Sequence, residues 1–139
     1  MTGATKATDL DAALKGMACS QHTLLEQLEP VRGDIHACTD ITGFGLLGHL
    51  GEMLQNSPGL TVELDGPAIP AYPGALVLLE RGVSSTLAPS NRAAWRWLEG
   101  PVQLKQHPSA ALLELLVDPQ TCGPLLLSLI HISEPTRPY

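Results

Sequence analysis

A glycine-rich turn between a short apolar segment and an apolar helix limits most strongly how this chain can fold. Residues 35–38 are predicted to form a short buried strand, and the turn DITGFG at residues 40–45 follows it. The helix predicted next carries apolar residues at three- and four-residue spacings, on one face: Leu46, Leu47, Leu50, Met53 and Leu54. Gly48 and Gly51 interrupt this helix at a cost of about 1 kcal/mol each relative to Ala, which predicts close packing around them.

The rest of the chain mixes helices and strands without the strict alternation of a βαβ fold. Apolar periodicity and helix-ending residues predict four more helices, at residues 9–28, 75–80, 90–98 and 110–116. Strands are predicted at residues 60–64 and from residue 125 onward. Thr8 or Asp9 is expected to cap the first helix, and Ser109 the last. The predicted fold class is therefore α+β, or a layered α/β sandwich.

Composition and charge exclude several classes of partner. The chain has 139 residues, of which 44% are hydrophobic and 16% charged, which suits one globular domain rather than a disordered chain. The formal net charge is −6 and no Lys/Arg-rich run occurs, so we expect no nucleic-acid partner. No apolar stretch reaches the roughly 18 residues of a membrane span, so no membrane partner is expected either.

The cysteines predict a reducing compartment. Cys19, Cys38 and Cys122 are odd in number and far apart, which is typical of reduced thiols in the cytoplasm rather than of a disulfide framework. Cys38 is expected to be a small core residue of the strand. A zinc-binding module built from His36, Cys38, His49 and Cys122 stays open as an alternative, but the sequence lacks a CxxC or HxxxH pair.

The last residues differ in character from the rest. The segment LSLIHISEPTR at residues 127–137 can be back-translated into a transposase-type sequencing adapter. We therefore predict a partial domain over residues 1–126 and a non-native tail over residues 127–139, and we give His131 no role. The alternative is a natural strand and tail.

Three segments resemble selenophosphate synthetases (selenide, water dikinases) of the aminoimidazole ribonucleotide synthetase-like superfamily. They are ACTDITGFGLLGH at residues 37–49, LAPSNR at residues 87–92 and DPQTCG at residues 118–123. Phe44 and His49 favour selenophosphate synthetase over its relatives. The resemblance extends over about residues 8–126 and implies a truncated form of the superfamily's C-terminal domain.

The resemblance assigns site residues in and near the first segment. It implies that Asp40 binds Mg²⁺ and that Thr42, Gly43, Gly45 and Asn91 contribute to ATP binding. A carboxylate before a glycine-rich turn can hold Mg²⁺ near phosphates, and a following helix start favours anions. Without the resemblance, the sequence predicts that Asp40 is a turn residue and that Asn91 is a helix N-cap.

The segment at residues 118–123 resembles a structural loop as much as a binding site. Asp118-Pro119 starts a turn that leads into a strand. The family commonly has Ser-Gly-Gly where this chain has Cys122, Gly123 and Pro124. Because Pro124 lacks a backbone donor, the sequence weighs against anion binding here.

The implied activity is the conversion of ATP, selenide and water into selenophosphate, AMP and orthophosphate. The resemblance implies that the nucleophilic Cys or selenocysteine, its partner Lys and most Mg-ATP carboxylates lie in an N-terminal domain absent from this sequence. We therefore assign no catalytic residue here, expect an inactive and marginally soluble fragment, and expect a homodimer for the intact enzyme. Alternatives are a cycloligase or hydrogenase-maturation relative, and a non-catalytic structural or dimerisation domain.

Overall fold

The computed structural model describes residues 6–55 and 57–129, and within them helices surround two small sheets. The helices are α1 (Ala7–Met17), α2 (His22–Leu28), α3 (Gly45–Gln55), α4 (Ala75–Glu80), α5 (Ala88–Asn91) and α6 (Ala110–Leu116). The strands are β1 (Ile35–Asp40), β2 (Val62–Leu64), β3 (Val102–Leu104) and β4 (Leu125–Leu129). Short 3-10 helices cover Glu29–Asp34, Gly66–Ala68 and Arg92–Glu99. The predicted α+β class is confirmed, and no helix in these residues is both long and apolar enough to cross a membrane.

The single helix predicted at residues 9–28 is wrong, because α1 and α2 are separate. Between them the Ser20 hydroxyl accepts a hydrogen bond from the His22 N–H at 3.2 Å and so competes with helix continuation. The predicted cap is also wrong: α1 starts after Lys6 without a side-chain cap. The Thr8 hydroxyl instead donates to the Asp9 carboxylate.

The first sheet pairs β1 with β4 in antiparallel register, with Asp40 opposite Leu125. Along β1 the side chains alternate, and Cys38 falls on the exposed side. The predictions of a buried strand and of Cys38 as a core residue are therefore wrong, because one face of β1 is half-buried and the other is exposed. Strand β4 includes residues 127–129, while residues 130–139, with His131, lie outside the described residues. The predicted tail boundary at residue 126 stays a prediction.

The core joins α3 to the end of α6 and to β3. Its buried side chains come from these three regions: Leu47, Leu50, Leu54, Val102, Leu116 and Val117. Strand β3 was not predicted from the sequence, and it pairs with β2 in parallel. Helix α3 thus lies with its apolar face on the core, which fixes the position of the turn that precedes it.

The helix predicted at residues 90–98 is divided into α5 and the 3-10 helix Arg92–Glu99. Arg92 makes a two-pronged ion pair with Glu114 of α6, at 2.9 and 3.1 Å. The Trp95 indole N–H donates to the Leu113 carbonyl at 3.1 Å. These contacts tie the 3-10 segment to α6, whose predicted bounds and Ser109 cap are confirmed.

The predicted close packing around the helix glycines is confirmed. A Cβ placed on Gly51 would collide with the Trp97 indole, and one on Gly48 would lie 2.7 Å from Cβ of Phe44. The missing side chains let the 3-10 helix and Phe44 approach α3 closely.

Candidate functional site

Asp40 ends β1 and presents its carboxylate to solvent. The next residue, Ile41, is buried, and its N–H donates to the Pro124 carbonyl at 3.0 Å. The chain is thus held on both sides of the exposed side chain, by the β1–β4 pairing before it and by this bond after it. The carboxylate lies at a fixed edge of the fold.

Thr42 is bound on several sides by its neighbours. Its N–H donates to Nε2 of His49 at 3.1 Å, and its hydroxyl lies 3.2 Å from the same nitrogen. Its carbonyl accepts hydrogen bonds from the N–H groups of Gly45 at 3.1 Å and Gln120 at 3.0 Å. Thr42 therefore holds the turn in place.

The two glycines of the turn are under different constraints. Gly45 has a φ of 71°, and an added Cβ would lie 2.7 Å from the Val117 carbonyl carbon. Gly45 uses the positive φ that glycine permits, whereas Gly43 does not. An added Cβ on Gly43 would meet no described atom within 4 Å, so this side of the turn is open.

Asn91 links two of the three segments. Its amide nitrogen donates to the Gly43 carbonyl at 2.8 Å and to the Val117 carbonyl at 3.0 Å. Asn91 occupies the N-cap position of the 3-10 helix Arg92–Glu99 but makes no side-chain cap bond, so the N-cap alternative does not account for the contacts of its side chain. A bond between residues 48 positions apart is not visible in local sequence patterns.

The loop after α6 packs directly against the turn. Gly123 lies so close to the Ile41 carbonyl that a Cβ there would overlap it, and Gln21, just before α2, donates to the Gly123 carbonyl. Cys122 has a φ of 50°, in the left-handed region that non-glycine residues rarely adopt. Pro124 contributes its carbonyl to the contact with Ile41, which supports the structural interpretation of this loop.

Asp118 is the one described group in these segments with a resolved pKa change. Burial raises the pKa of its carboxyl above the usual 3.8, the hydrogen bond from Gln120 opposes this, and the nearby Glu114 charge adds to it. The Gln120 side chain donates to the Asp118 carboxylate at 3.1 Å. The Asp118 carboxyl is therefore partly desolvated.

Sequence reasoning missed two residues of the site. Gln120 anchors Thr42 and Asp118, and Glu52 lies with one carboxylate oxygen 3.3 Å from Nδ1 of His49. The spacing of His49 and Glu52, three residues apart on a helix, could have indicated this pair. Nothing in the local sequence indicates Gln120.

An open groove of about 290 Å³ adjoins the turn, between α3 and the 3-10 helix. Its walls include Phe44, Gly48, Glu52, Asn91 and Trp97. A second groove of about 400 Å³ lies beside Lys105 and His107 and contains none of the predicted site residues.

The donor set suits one magnesium ligand rather than a full metal cage. In residues 6–55 and 57–129 no three His, Cys, Asp or Glu side chains come together as a metal site. Asp40 offers a hard carboxylate oxygen, which fits Mg²⁺ when substrate phosphates and other groups complete its shell. The zinc alternative gains no support, because its four candidate ligands do not form such a group among the described residues and Nε2 of buried His49 is engaged by Thr42.

The model of the family AIR synthase related protein, C-terminal domain, matches residues 2–83. The match covers more than half of the chain, which therefore belongs to this family. Within it, the chain is similar to proteins named selenide, water dikinase, and the predicted likeness to the C-terminal domain of selenophosphate synthetases is confirmed.

The relatives come from diverse bacteria. The identity is 36% to the selenide, water dikinase of Caldanaerobacter subterraneus subsp. tengcongensis, over 86% of this chain and 37% of the relative. The identity to the selenide, water dikinase of Treponema denticola is 41%, over 70% of this chain and 26% of the relative. The identity to that of Pelobacter propionicus is 43%, over 70% of this chain and 28% of the relative. The chain thus spans between 26% and 37% of the length of these relatives.

Proposed function

We propose that the chain is the C-terminal part of an ATP-dependent selenophosphate synthetase. The intact enzyme converts ATP, selenide and water into selenophosphate, AMP and orthophosphate. The observation that carries the proposal is that the three family-like segments meet at one place: Asn91 and the loop at residues 118–123 both bond to the turn that follows exposed Asp40. The similarity to selenide, water dikinases supports the same function.

In this proposal Asp40 holds a Mg²⁺ ion that accompanies ATP. Mg²⁺ is usually bound through one or two carboxylates plus substrate phosphates, so a single exposed carboxylate is enough for this half of a site. When bound, the ion neutralises the charge that develops on the transferred phosphoryl group.

The other proposed nucleotide-binding residues divide into two roles. Thr42, Gly45 and Asn91 have polar or backbone groups already bonded within the fold, so they set the shape of the turn. Gly43 faces open space and leaves room for a phosphate to approach the backbone.

The reaction needs groups outside this chain. We assign the nucleophilic Cys or selenocysteine and its partner Lys to the remaining part of the enzyme, and expect the isolated chain to be inactive. The intact enzyme is expected to be a homodimer. The three cysteines are free and exposed, which supports a reducing, cytoplasmic location.

The test is Asp40→Asn in a complete enzyme that contains this domain, with Asp34→Asn as the matched control. Asp34 is also exposed and lies just before β1, so it reports any general effect of removing a carboxylate. We expect Asp40→Asn to lower ATP turnover by at least about 100-fold with an unchanged fold, since a metal contributes several kcal/mol to charge stabilisation. Turnover equal to that of Asp34→Asn would remove Asp40 from the metal site.

A cycloligase of the same family is the competing function. The relatives are named selenide, water dikinases, which favours the dikinase. In the complete enzyme we expect ATP turnover to yield AMP and to rise with selenide. ATP turnover that ignores selenide and instead requires an organic amide substrate would favour the cycloligase.

A further inference from the structure

We propose that His49 is a positioning residue, which holds the turn after Asp40 through one fixed tautomer, and that Glu52 sets this tautomer. The link to catalysis rests on the proposed function, but the tautomer and the order of the turn do not. His49 is only 7% exposed, although its position on α3 would suit an apolar side chain.

The hydrogen-bond partners determine which nitrogen carries the proton. The Thr42 backbone N–H can only donate, and it points at Nε2 of His49 from 3.1 Å. Nε2 must therefore hold a free lone pair, and in the neutral ring the proton is on Nδ1. The Thr42 hydroxyl oxygen lies 3.2 Å from Nε2. The hydroxyl can donate its proton to Nε2 as a second partner, or it can rotate so that its lone pairs point away from Nε2.

Nδ1 faces the carboxylate of Glu52. The distance from Nδ1 to Oε2 is 3.3 Å, and Nδ1 makes no hydrogen bond within the described residues. The Glu52 side chain is 59% exposed and free to turn, whereas the imidazole is enclosed. A small rotation of the Glu52 side chain lets its carboxylate accept a hydrogen bond from Nδ1–H of His49. This bond disfavours the tautomer that carries the proton on Nε2.

The bond matters because Thr42 connects the site to the rest of the fold. Its N–H contacts His49 of α3, and its carbonyl holds Gln120 of the neighbouring loop. Asp40 lies only two residues earlier. Without the acceptor at Nε2, the half-buried Thr42 N–H has no partner, and the backbone that aims the Asp40 carboxylate loosens.

The first test needs no substitution. In a complete enzyme that contains this domain, labelled with ¹⁵N-histidine and studied at neutral pH, we expect the Nε2 shift of an unprotonated imidazole nitrogen and the Nδ1 shift of a protonated one for His49. A protonated Nε2 in the neutral ring would overturn the proposal. A histidine that merely filled space would show no preference for this tautomer.

Two pairs of variants then separate positioning from packing. His49→Gln keeps an acceptor near Nε2, whereas His49→Leu keeps bulk without one. We expect about tenfold faster hydrogen exchange at the Thr42 amide in His49→Leu and near-normal exchange in His49→Gln. Equal exchange in the two variants would contradict the proposal. Thr42 still requires a lone pair at Nε2 when Glu52 is changed, so Glu52→Ala should reduce the excess of the Nδ1–H tautomer rather than reverse it. Glu52→Gln retains an acceptor and should keep the wild-type excess, and equal tautomer populations in the two variants would remove Glu52 from the proposal.

In the complete enzyme, His49→Leu should raise the Mg²⁺ concentration needed for half-maximal turnover about tenfold, with partial rescue in His49→Gln. If the NMR results hold and Mg²⁺ dependence does not change, the link to the site is wrong. Failure of the proposed function itself would appear separately, as full activity in Asp40→Asn.

Discussion

Gly43 and Gly45 are two residues apart, yet only one of them is required by the fold. Gly45 combines a φ of 71° with contact against the Val117 backbone, while Gly43 has ordinary φ and open space beside it. The sequence predicted one role for both, because a local pattern shows glycine content but not the neighbouring segment that closes on Gly45.

This difference predicts the stability of two matched variants. Gly45→Ala should lower the free energy of unfolding by about 1–3 kcal/mol, since a non-glycine residue is strained at positive φ. Gly43→Ala should change it by less than about 0.5 kcal/mol. Urea denaturation of both variants measures this, and equal losses would contradict the assigned constraints.

At Asp118 the prediction concerns pH. Burial raises the pKa of this carboxyl in the folded chain above 3.8, so the folded state binds the proton more tightly than the unfolded state. The stability that Asp118 contributes is present below pH 3.8 and is lost as the pH rises through the folded-state pKa. Asp118→Asn, which keeps an acceptor for Gln120, should therefore stabilise the chain at pH 7.

The pH dependence supplies the control for this variant. The stabilising effect of Asp118→Asn should shrink toward zero below pH 3.8, where the wild-type carboxyl is also neutral. Asp34→Asn, at an exposed position, is the matched control for the removal of a carboxylate. The midpoints of urea denaturation at several pH values measure this effect. If Asp118→Asn were less stable than the wild type at pH 7, burial would not be the dominant cause of the raised pKa of Asp118.

At the scale of elements, α6 and α3 could be predicted from the sequence, whereas the end of α1 could not. Ser109 and the apolar spacing define α6 locally, and the leucine stripe defines α3. The break between α1 and α2 depends on Ser20 competing for one backbone N–H, which spacing alone does not show. Strand β3 is three residues long and forms only because β2 is beside it, although β2 lies about forty positions earlier.

The apolar face of α1 is the clearest mismatch between pattern and burial. Leu10 and Leu14 share a face and are each 53% exposed. Replacing both with Glu should change the free energy of unfolding by less than about 1 kcal/mol, because little burial is lost. It should also reduce binding of a hydrophobic dye. The matched pair Leu47→Glu and Leu50→Glu, in the core, should abolish folding; an equally large effect in α1 would mean that its face is buried in solution.

For the whole molecule, the sequence shows the order of the three family-like segments, but it does not show that they contact one another. Residues 37–49, 87–92 and 118–123 are joined by Asn91, by the contact of Ile41 with Pro124 and by that of Thr42 with Gln120. Each contact spans many positions and depends on the packing of α3 against α6. The metal role of Asp40 stays a prediction, because its remaining ligands would come from the nucleotide and from other parts of the enzyme.

Counting bound metal tests that role most directly. In a complete enzyme with Mn²⁺ in place of Mg²⁺ and a non-hydrolysable ATP analogue, electron paramagnetic resonance reports how many Mn²⁺ ions are held per chain. We predict that Asp40→Asn holds at least one fewer ion than Asp34→Asn, or holds it at least about tenfold more weakly. The same number of ions at the same affinity in both variants would contradict the assignment of Asp40 as a metal ligand.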